Sequence, residues 1–297
     1  MTSLAAPPAL ALDEAPGPIV CAADCAMDVS VLSLLRSEAI SSIFSVASSH
    51  RIKPHVTSTA CVFFHRFFAR RSLRAHDRLE IGLACLLVAA KSTDFAGPIG
   101  DLPKYLAKEF LLRRGPSSVS AVLGGSAPGA SAMLAAQQPP PPVTVAAAST
   151  GGRFTEEEKA IYEAKEKIFI AERLLLSVLG YKFDVVPPTL ALDEALGALR
   201  SPPSDVLLRM AHSALHDALK TTLPLVYSAP VLARGALQFA HNSIAAAAAK
   251  TGAAYTLPQG WDTVVSLETL PVLAATAIAQ AIADLVKERD WGEKLSH

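Results

Sequence analysis

Hydrophobic residues recur along most of the chain at the three- and four-residue spacing of amphipathic helices. Hardly any segment shows the strict alternation of a half-buried strand. Proline and glycine fall between the periodic stretches, where they are expected to break helices. The fold class is therefore predicted to be all-α. The pattern predicts helices over about 29–49, 55–70, 77–91, 99–112, 155–179, 189–199, 204–220, 228–250 and 269–288.

The stretch Arg78–Lys91 differs from the others because Ile81–Ala90 carries no charge and no polar stripe. A helix that is apolar on every side belongs inside a packed protein. The run is about half of the roughly 20 apolar residues that a membrane span needs. We therefore interpret it as a central core helix. Lys91 closes it, where a cation complements the negative end of the helix dipole.

A second informative charge lies in the helix that follows the T-x-x-E capping box at Thr155. Glu172 shares one face of this helix with Ile168, Leu175 and Leu179, by three- and four-residue spacing. A carboxylate on an apolar face must be paired, or must lie at a wet edge or an interface. Glu172 is thus a candidate for a specific polar contact.

Three segments lack helical periodicity. Residues 1–28 are rich in Ala and Pro and predict a mostly disordered leader. Residues 115–152 are rich in Pro, Ala, Ser and Gly and predict a low-complexity insert. Residues 291–297 form a short C-terminal tail. A long insert costs little stability because loop-closure entropy grows only logarithmically with length.

Composition narrows the class of partner. Hydrophobic residues make up 51% of the 297 residues, and the 27 basic and 27 acidic residues cancel. A neutral chain is a poor candidate for gripping nucleic acid, which requires a basic surface. The sequence shows neither a signal peptide nor an apolar run that we expect to cross a bilayer. Four cysteines without a C-x-x-C pair predict reduced intracellular thiols.

Catalytic motifs are missing from the sequence. There is no phosphate-binding glycine loop, no H-E-x-x-H and no G-x-S-x-G. His212 and His216 are one turn apart and could share a metal, but a solvated helix face is the preferred interpretation. We predict no catalytic residue, no cofactor and no metal. The function should be binding.

A faint internal repeat relates residues 61–91 to residues 212–242 at a constant offset. The offset aligns Gly82 with Ala233 and Ala89 with Ala240. Residue identity between the two halves is slight. The repeat nevertheless suggests two similar five-helix units, with the insert inside the first.

Five motifs in order resemble the cyclin family, and within it the transcriptional branch (cyclins T, K and L). F-F-H-R-F-F is similar to that branch's Y-F-H-R-F-Y, and A-E-R-L-L-L-S-V-L-G-Y resembles L-E-x-x-L-L-Q-T-L-G-F. H-D-A-L-K-T-T-L-P-L resembles N-D-S-L-x-T-T-L-x-L. The motifs are Arg36–Ala39, Phe63–Phe68, Leu86–Lys91, Ala171–Tyr181 and His216–Leu225.

This resemblance implies two tandem cyclin boxes of five helices each, 29–183 and 184–290, that bind a cyclin-dependent kinase as a heterodimer. In the family, the lysine that ends the third helix and the glutamate of the fifth contact the kinase. Here these residues are Lys91 and Glu172. The resemblance further implies an apolar kinase-binding patch around Val88, Leu176 and Tyr181.

The sequence departs from the family pattern at two places. The family continues K-x-E-E after the third helix, whereas this chain has Lys91 followed by Ser92-Thr93-Asp94. One acidic kinase contact is therefore in doubt. Ser42 stands where the cell-cycle cyclins have the tryptophan of their substrate-docking groove, so recruitment through that groove is not expected.

Three functions follow from this interpretation. The preferred one is a nuclear cyclin that activates a kinase acting on the C-terminal repeats of RNA polymerase II, without direct contact to nucleic acid or membrane. The second is a transcription factor core of the TFIIB kind, which would predict a zinc ribbon and a basic surface. The third is a cyclin-fold scaffold without a kinase, because the acidic pair is absent.

Overall fold

The structure is a computed structural model. It describes residues 20–93, 100–114, 155–252, 255–261, 264 and 278–284. Every regular element in these residues is helical, so the predicted all-α class is confirmed. The predicted insert and C-terminal tail lie outside the described residues, as does most of the helix predicted over 269–288.

The helices begin and end within a few residues of the predicted positions, and one short helix, Leu223–Val226, is not predicted by the sequence pattern. Residues 278–284 are also helical. The bounds are α1 Val29–Ser49, α2 Pro54–Arg70, α3 Arg78–Ser92, α4 Leu102–Arg114, α5 Glu156–Leu179, α6 Pro188–Gly197, α7 Asp205–Ala218, α8 Leu223–Val226 and α9 Ala229–Thr251.

Local sequence explains most of these ends. Thr155 and Glu158 form the predicted capping box at the start of α5, and Gly180 ends that helix at φ 60°. Ser204 caps α7 by accepting a hydrogen bond from the Leu207 amide. Ser228, the N-cap residue of α9, makes no side-chain cap bond. Pro230 in the first turn of α9 suits that helix start because proline has no amide hydrogen to satisfy.

Helix α3 is the centre of the first five-helix group. It packs against α1, α2, α4 and α5, and every residue of Ile81–Ala90 is buried. The all-round apolar pattern is thus explained by neighbours on all sides. Gly82 allows the close approach of α1, because a Cβ there would lie 3.1 Å from the Cγ1 of Ile43.

The second group repeats the arrangement of the first. Helices α7 and α9 pack together as α2 and α3 do, and α6 covers α9. Ala233 and Ala240 of α9 are fully buried, like the residues of α3 that the internal repeat aligns with them. The predicted two-unit architecture is confirmed, whereas the boundaries near 183 and 290 stay predictions.

The two groups meet across α2. The His65 Nε2–H donates to the Leu219 carbonyl at 2.8 Å, and the Ser58 and Thr189 hydroxyls lie 3.0 Å apart. His65 is fully buried, and its Nδ1 has no hydrogen-bond partner in the described structure. Burial is the main reason that the pKa of His65 falls to about 4.

Residues 20–28 depart from the expectation of a mostly disordered leader. They include a 3₁₀ turn, Ala22–Asp24, and the Asp24 carboxylate is fully buried. This carboxylate accepts hydrogen bonds from the Leu73 amide at 2.7 Å and from the Ser72 hydroxyl. The composition of residues 20–28 could not reveal these hydrogen bonds, because the partners of Asp24 lie almost 50 residues away in sequence.

Helix α1 is the one described helix whose length and composition would allow a membrane span, contrary to the expectation that none would. Its Ile40, Ile43 and Val46 are buried in the bundle, and the Arg36 guanidinium is buried with them. Arg36 donates to the Phe68 carbonyl at 3.2 Å. Core helices of globular proteins pass the same length and hydropathy test.

Replacing Asp24 tests whether the 20–28 segment is part of the folded unit. Asp24→Ala leaves the buried Leu73 amide without an acceptor, so we expect a loss of about 2–4 kcal/mol in the free energy of unfolding, measured by urea denaturation. Asp28→Asn, which keeps an N-cap side chain at the start of α1, should change it by much less. Equal values for both variants would contradict the structural role of Asp24.

The buried His65 predicts a pH dependence of stability. Its pKa is lower in the folded chain, about 4, than the usual 6.5, so the unfolded chain binds more protons between these values. The stability that depends on neutral His65 is fully present above pH 6.5 and is lost as the pH falls towards 4. For His65 alone, the free energy of unfolding at pH 7 should exceed that at pH 5 by about 2 kcal/mol. His65→Gln, which keeps a donor for Leu219, should remove this part of the difference.

Candidate functional site

The two charges that stand out in the sequence lie together in the structure. Helix α3 carries Lys91 in its last turn, and α5 packs along α3 with Glu172 facing it. The Lys91 Nζ lies 2.6 Å from the Glu172 Oε1, although the residues are 81 positions apart. This geometry is a charge-assisted hydrogen bond.

The pair sits at the edge of the bundle rather than inside it. The Glu172 side chain is only 11% exposed, whereas 44% of the Lys91 side chain is exposed. Glu172 therefore meets the requirement that a carboxylate on an apolar helix face be paired. An ammonium group has three donors, so Lys91 keeps donors that a partner molecule could use.

The residues after Lys91 turn back onto their own helix. The Ser92 and Thr93 hydroxyls both donate to the Ala89 carbonyl, at 3.2 Å and 2.7 Å. Thr93 stands at the first glutamate position of the family's K-x-E-E motif. In this chain its hydroxyl closes the end of α3. Asp94 lies outside the described residues.

The three predicted patch residues have different environments. Leu176, one turn after Glu172 on α5, is partly buried against the core. Tyr181 is 69% exposed. Val88 is 3% exposed and belongs to the core of the first group, so it supports the surface from beneath instead of presenting a side chain on it.

The exposed position of Tyr181 results from the backbone that ends α5. Gly180 and Tyr181 are consecutive left-handed residues, at φ 60° and 58°. A left-handed conformation is common for glycine and costs other residues about 1 kcal/mol or more. The Tyr181 ring contacts the edge of Phe183, which in turn contacts the buried ring of Phe63. A chain of rings thus connects the surface to the core.

Sequence reasoning missed two residues that position this surface. It places Phe183 only in a connection, although this aromatic ring, two residues after Tyr181, was a usable signal. Arg70 donates to the Val178 carbonyl at 2.6 Å and so holds the C-terminal turn of α5 against α2. No sequence signal distinguished Arg70 from an ordinary cation at a helix end.

Other candidate chemistry is accounted for by packing. Cys61 and Cys85 are fully buried, and burial raises the pKa of both thiols, which makes them unreactive. His216 packs against Phe44 with ring centroids 3.4 Å apart, so its helix face is not simply solvated as expected. Among the described residues, no three His, Cys, Asp or Glu side chains are grouped in a way that could hold a metal ion.

Comparison with protein families finds a match in the first helical group. Residues 23–110 match the family described as Cyclin, N-terminal domain. This span begins beside Asp24 and ends in α4, so it covers the central helix α3 and Lys91. It does not reach Glu172.

Curated relatives with significant similarity are plant cyclins. The chain is 26% identical to Cyclin-T1-4 of Arabidopsis thaliana over 186 residues, which are 62% of this chain and 28% of that protein. It is 26% identical to Cyclin-T1-3 of Oryza sativa subsp. japonica, over 62% of this chain and 31% of that protein. The chain thus spans about a third or less of the length of these relatives.

A solved structure shares the fold. A chain in the crystal structure of the yeast RNA Pol II CTD kinase CTDK-1 complex superposes with a TM-score of 0.53 at 12% identity, covering 86% of this chain and 66% of that one. The family match, the T-type relatives and this shared fold agree with the motifs noted in the sequence. Over residues 23–110 the chain is similar to the cyclin N-terminal domain, and the curated relatives that it matches are T-type cyclins.

Proposed function

We propose that this chain is a non-catalytic regulatory subunit that binds and activates a cyclin-dependent kinase. The kinase's substrate would be the C-terminal repeats of RNA polymerase II, and the complex would act in the nucleus. The T-type relatives, and the fold shared with a chain of the yeast CTD kinase complex, support this choice of kinase. The single observation that carries the proposal is the Lys91–Glu172 pair at the edge of the bundle.

The surface around this pair has the composition of a protein interface. Tyr181 supplies an exposed aromatic ring, and Leu176 supplies apolar area beside it. Aromatic residues are enriched among the side chains that carry most of the energy of an interface. Lys91 and Glu172 would set the register of the partner, because charges that become desolvated in an interface favour one alignment.

The activation mechanism requires no chemical group from this chain. In protein kinases, a mobile helix carries the glutamate that pairs with the ATP-positioning lysine, and this pair must be in place for catalysis. A rigid surface formed by α3 and α5 would hold that helix inward. The chain's binding energy would thereby favour the active conformation over the inactive one.

Lys91 and Glu172 would act as one unit in this mechanism. Glu172 orients Lys91 and prevents it from sampling many rotamers, and the free donors of Lys91 point to the partner's carbonyl or carboxylate oxygens. Pre-organised side chains lose less entropy on binding. The hydroxyls of Ser92 and Thr93 are already bonded to Ala89, so Lys91 and Glu172 would carry most of the polar contact.

A pull-down from the native cell tests the proposed function. We expect the tagged chain to recover a cyclin-dependent kinase, identified by mass spectrometry, together with activity on a peptide of the polymerase repeats. Recovery of polymerase or promoter DNA without a kinase would favour the TFIIB-like function instead. Recovery of other proteins but no kinase would favour the scaffold.

A charge swap separates an interface role of the pair from a structural one. Glu172→Lys alone should weaken kinase binding by about 2–5 kcal/mol, the usual cost of breaking a desolvated interfacial charge pair. Lys91→Glu combined with Glu172→Lys rebuilds the internal pair but reverses the charge that faces the partner. We expect this double variant to recover thermal stability without recovering affinity, as measured by calorimetric titration and melting. Recovery of both would mean that the pair only holds α3 to α5.

A further inference from the structure

A cleft lies between the two helical groups, on a surface that the proposed kinase contact does not use. It is bounded by the end of α1, the start of α2, α6 and α7, and its volume is about 700 Å³. Ligand pockets in proteins commonly have about 300–1,000 Å³. The side chains that line it include Phe44, Ile52, Pro54, Thr57, His216 and Leu219.

The floor of this cleft is apolar and uncharged. Ile52 and Leu219 belong to the buried core, and the Phe44 ring packs on the His216 imidazole. Burial, assisted by the nearby Lys220 cation, lowers the pKa of His216 to about 4, so this imidazole is neutral at physiological pH. The Thr57 hydroxyl is directed to the Lys53 carbonyl of its own helix. The cleft therefore suits an apolar side chain.

The connection from α1 to α2 adds two cations beside Ile52, which lines the cleft. Arg51 and Lys53 flank Ile52 in sequence, and both are exposed. Within the described part of the chain, neither side chain makes a hydrogen bond or an ion pair. Two other cations nearby already have partners, Lys220 with Asp217 and Arg113 with Glu109, while His212 contacts Asp193 and His50 contacts Glu109. Arg51 and Lys53 thus give this side of the cleft two exposed cations that have no partner among the described residues.

The backbone at Arg51 shows that this cation occupies a position where glycine would fit better. Arg51 has φ 51°, in the left-handed region, and the Ile52 amide donates to the Ala47 carbonyl at 2.8 Å. This hydrogen bond is typical of a helix end at which glycine is the usual residue. An arginine there costs about 1 kcal/mol relative to glycine.

We propose that this cleft binds an extended acidic peptide segment of a partner protein. A bulky apolar side chain of the peptide would enter the cleft over Phe44 and Ile52, and flanking carboxylates would pair with Arg51 and Lys53. An apolar floor favours such a peptide over nucleic acid, whose backbone would find only these two cations. The inference does not depend on the kinase partner, because the cleft involves neither Lys91 nor Glu172.

A labelled probe peptide tests this site on the full chain. The probe is a fluorescein-labelled peptide of Asp and Glu residues with a central Leu-Phe pair, titrated by fluorescence anisotropy. We expect saturable binding that weakens with added salt, because exposed charge pairs are screened. A probe with Ala-Ala in place of Leu-Phe, and one with Lys in place of the acids, should bind at least tenfold more weakly. Equal binding of the Ala-Ala probe would overturn insertion into the cleft.

The local backbone offers variants that remove the cations without harming the fold. Arg51→Gly suits the left-handed backbone, and Lys53→Ser places a good N-cap residue before α2, where Lys53 makes no cap bond. The double variant should keep or raise the melting temperature, yet lower probe affinity about three- to tenfold. Arg51→Lys with Lys53→Arg should restore the affinity. Unchanged affinity in the double variant would overturn the proposal.

Two further variants exclude other sites and other occupants. Ser48→Trp, at an exposed position of the cleft wall, should reduce probe binding more than tenfold by filling the space. Arg71→Ser with Arg74→Ser removes two exposed cations from another connection and should leave binding unchanged. A single-stranded RNA oligonucleotide that binds through Arg51 and Lys53 while the peptide does not would overturn the proposal. So would dimerisation through the cleft in sedimentation experiments.

Discussion

The structure depends on the burial of α3 from every direction. The ten consecutive residues Ile81–Ala90 have no polar side chain, and all of them are buried. Such a helix is stable only when neighbours cover its whole circumference, and α1, α2, α4 and α5 do so. The order of the first five helices around this axis follows from that requirement. Gly82 shows how close the neighbours come, since even one added methyl group would crowd Ile43.

The same burial makes the ends of α3 the natural places for polar function. A helix sealed along its length can present polar groups to a partner only at its ends, and Lys91 is the last charged residue of α3. Glu172 reaches it from α5, so two helices that share the core also share a charge pair at the surface. The candidate kinase-binding surface therefore rests directly on the core of the first group.

The junction between the two helical groups follows a different physical logic. It combines buried rings and aliphatic side chains with a few specific polar bonds, such as that from His65 to the Leu219 carbonyl. Burial disfavours the protonated form of this histidine, so the stability of the junction depends on pH. Where α1 and α7 diverge, the packing is incomplete and the cleft over Phe44 remains. The chain can thus offer one surface formed by rigid core helices and another formed by the meeting of its two groups.

The sequence by itself determined the helices other than the short α8, the central position of α3 and the two charges to examine, because hydrophobic periodicity and helix caps are local signals. It also carried the family motifs, which lie in those helices. Only the tertiary structure decided that Lys91 and Glu172 pair with each other, that Val88 is covered, and that Asp24 joins the core. These outcomes depend on contacts between residues some 50 to 80 positions apart, and no local pattern records such contacts. The cleft has the same origin, since its walls come from four helices that meet only after folding.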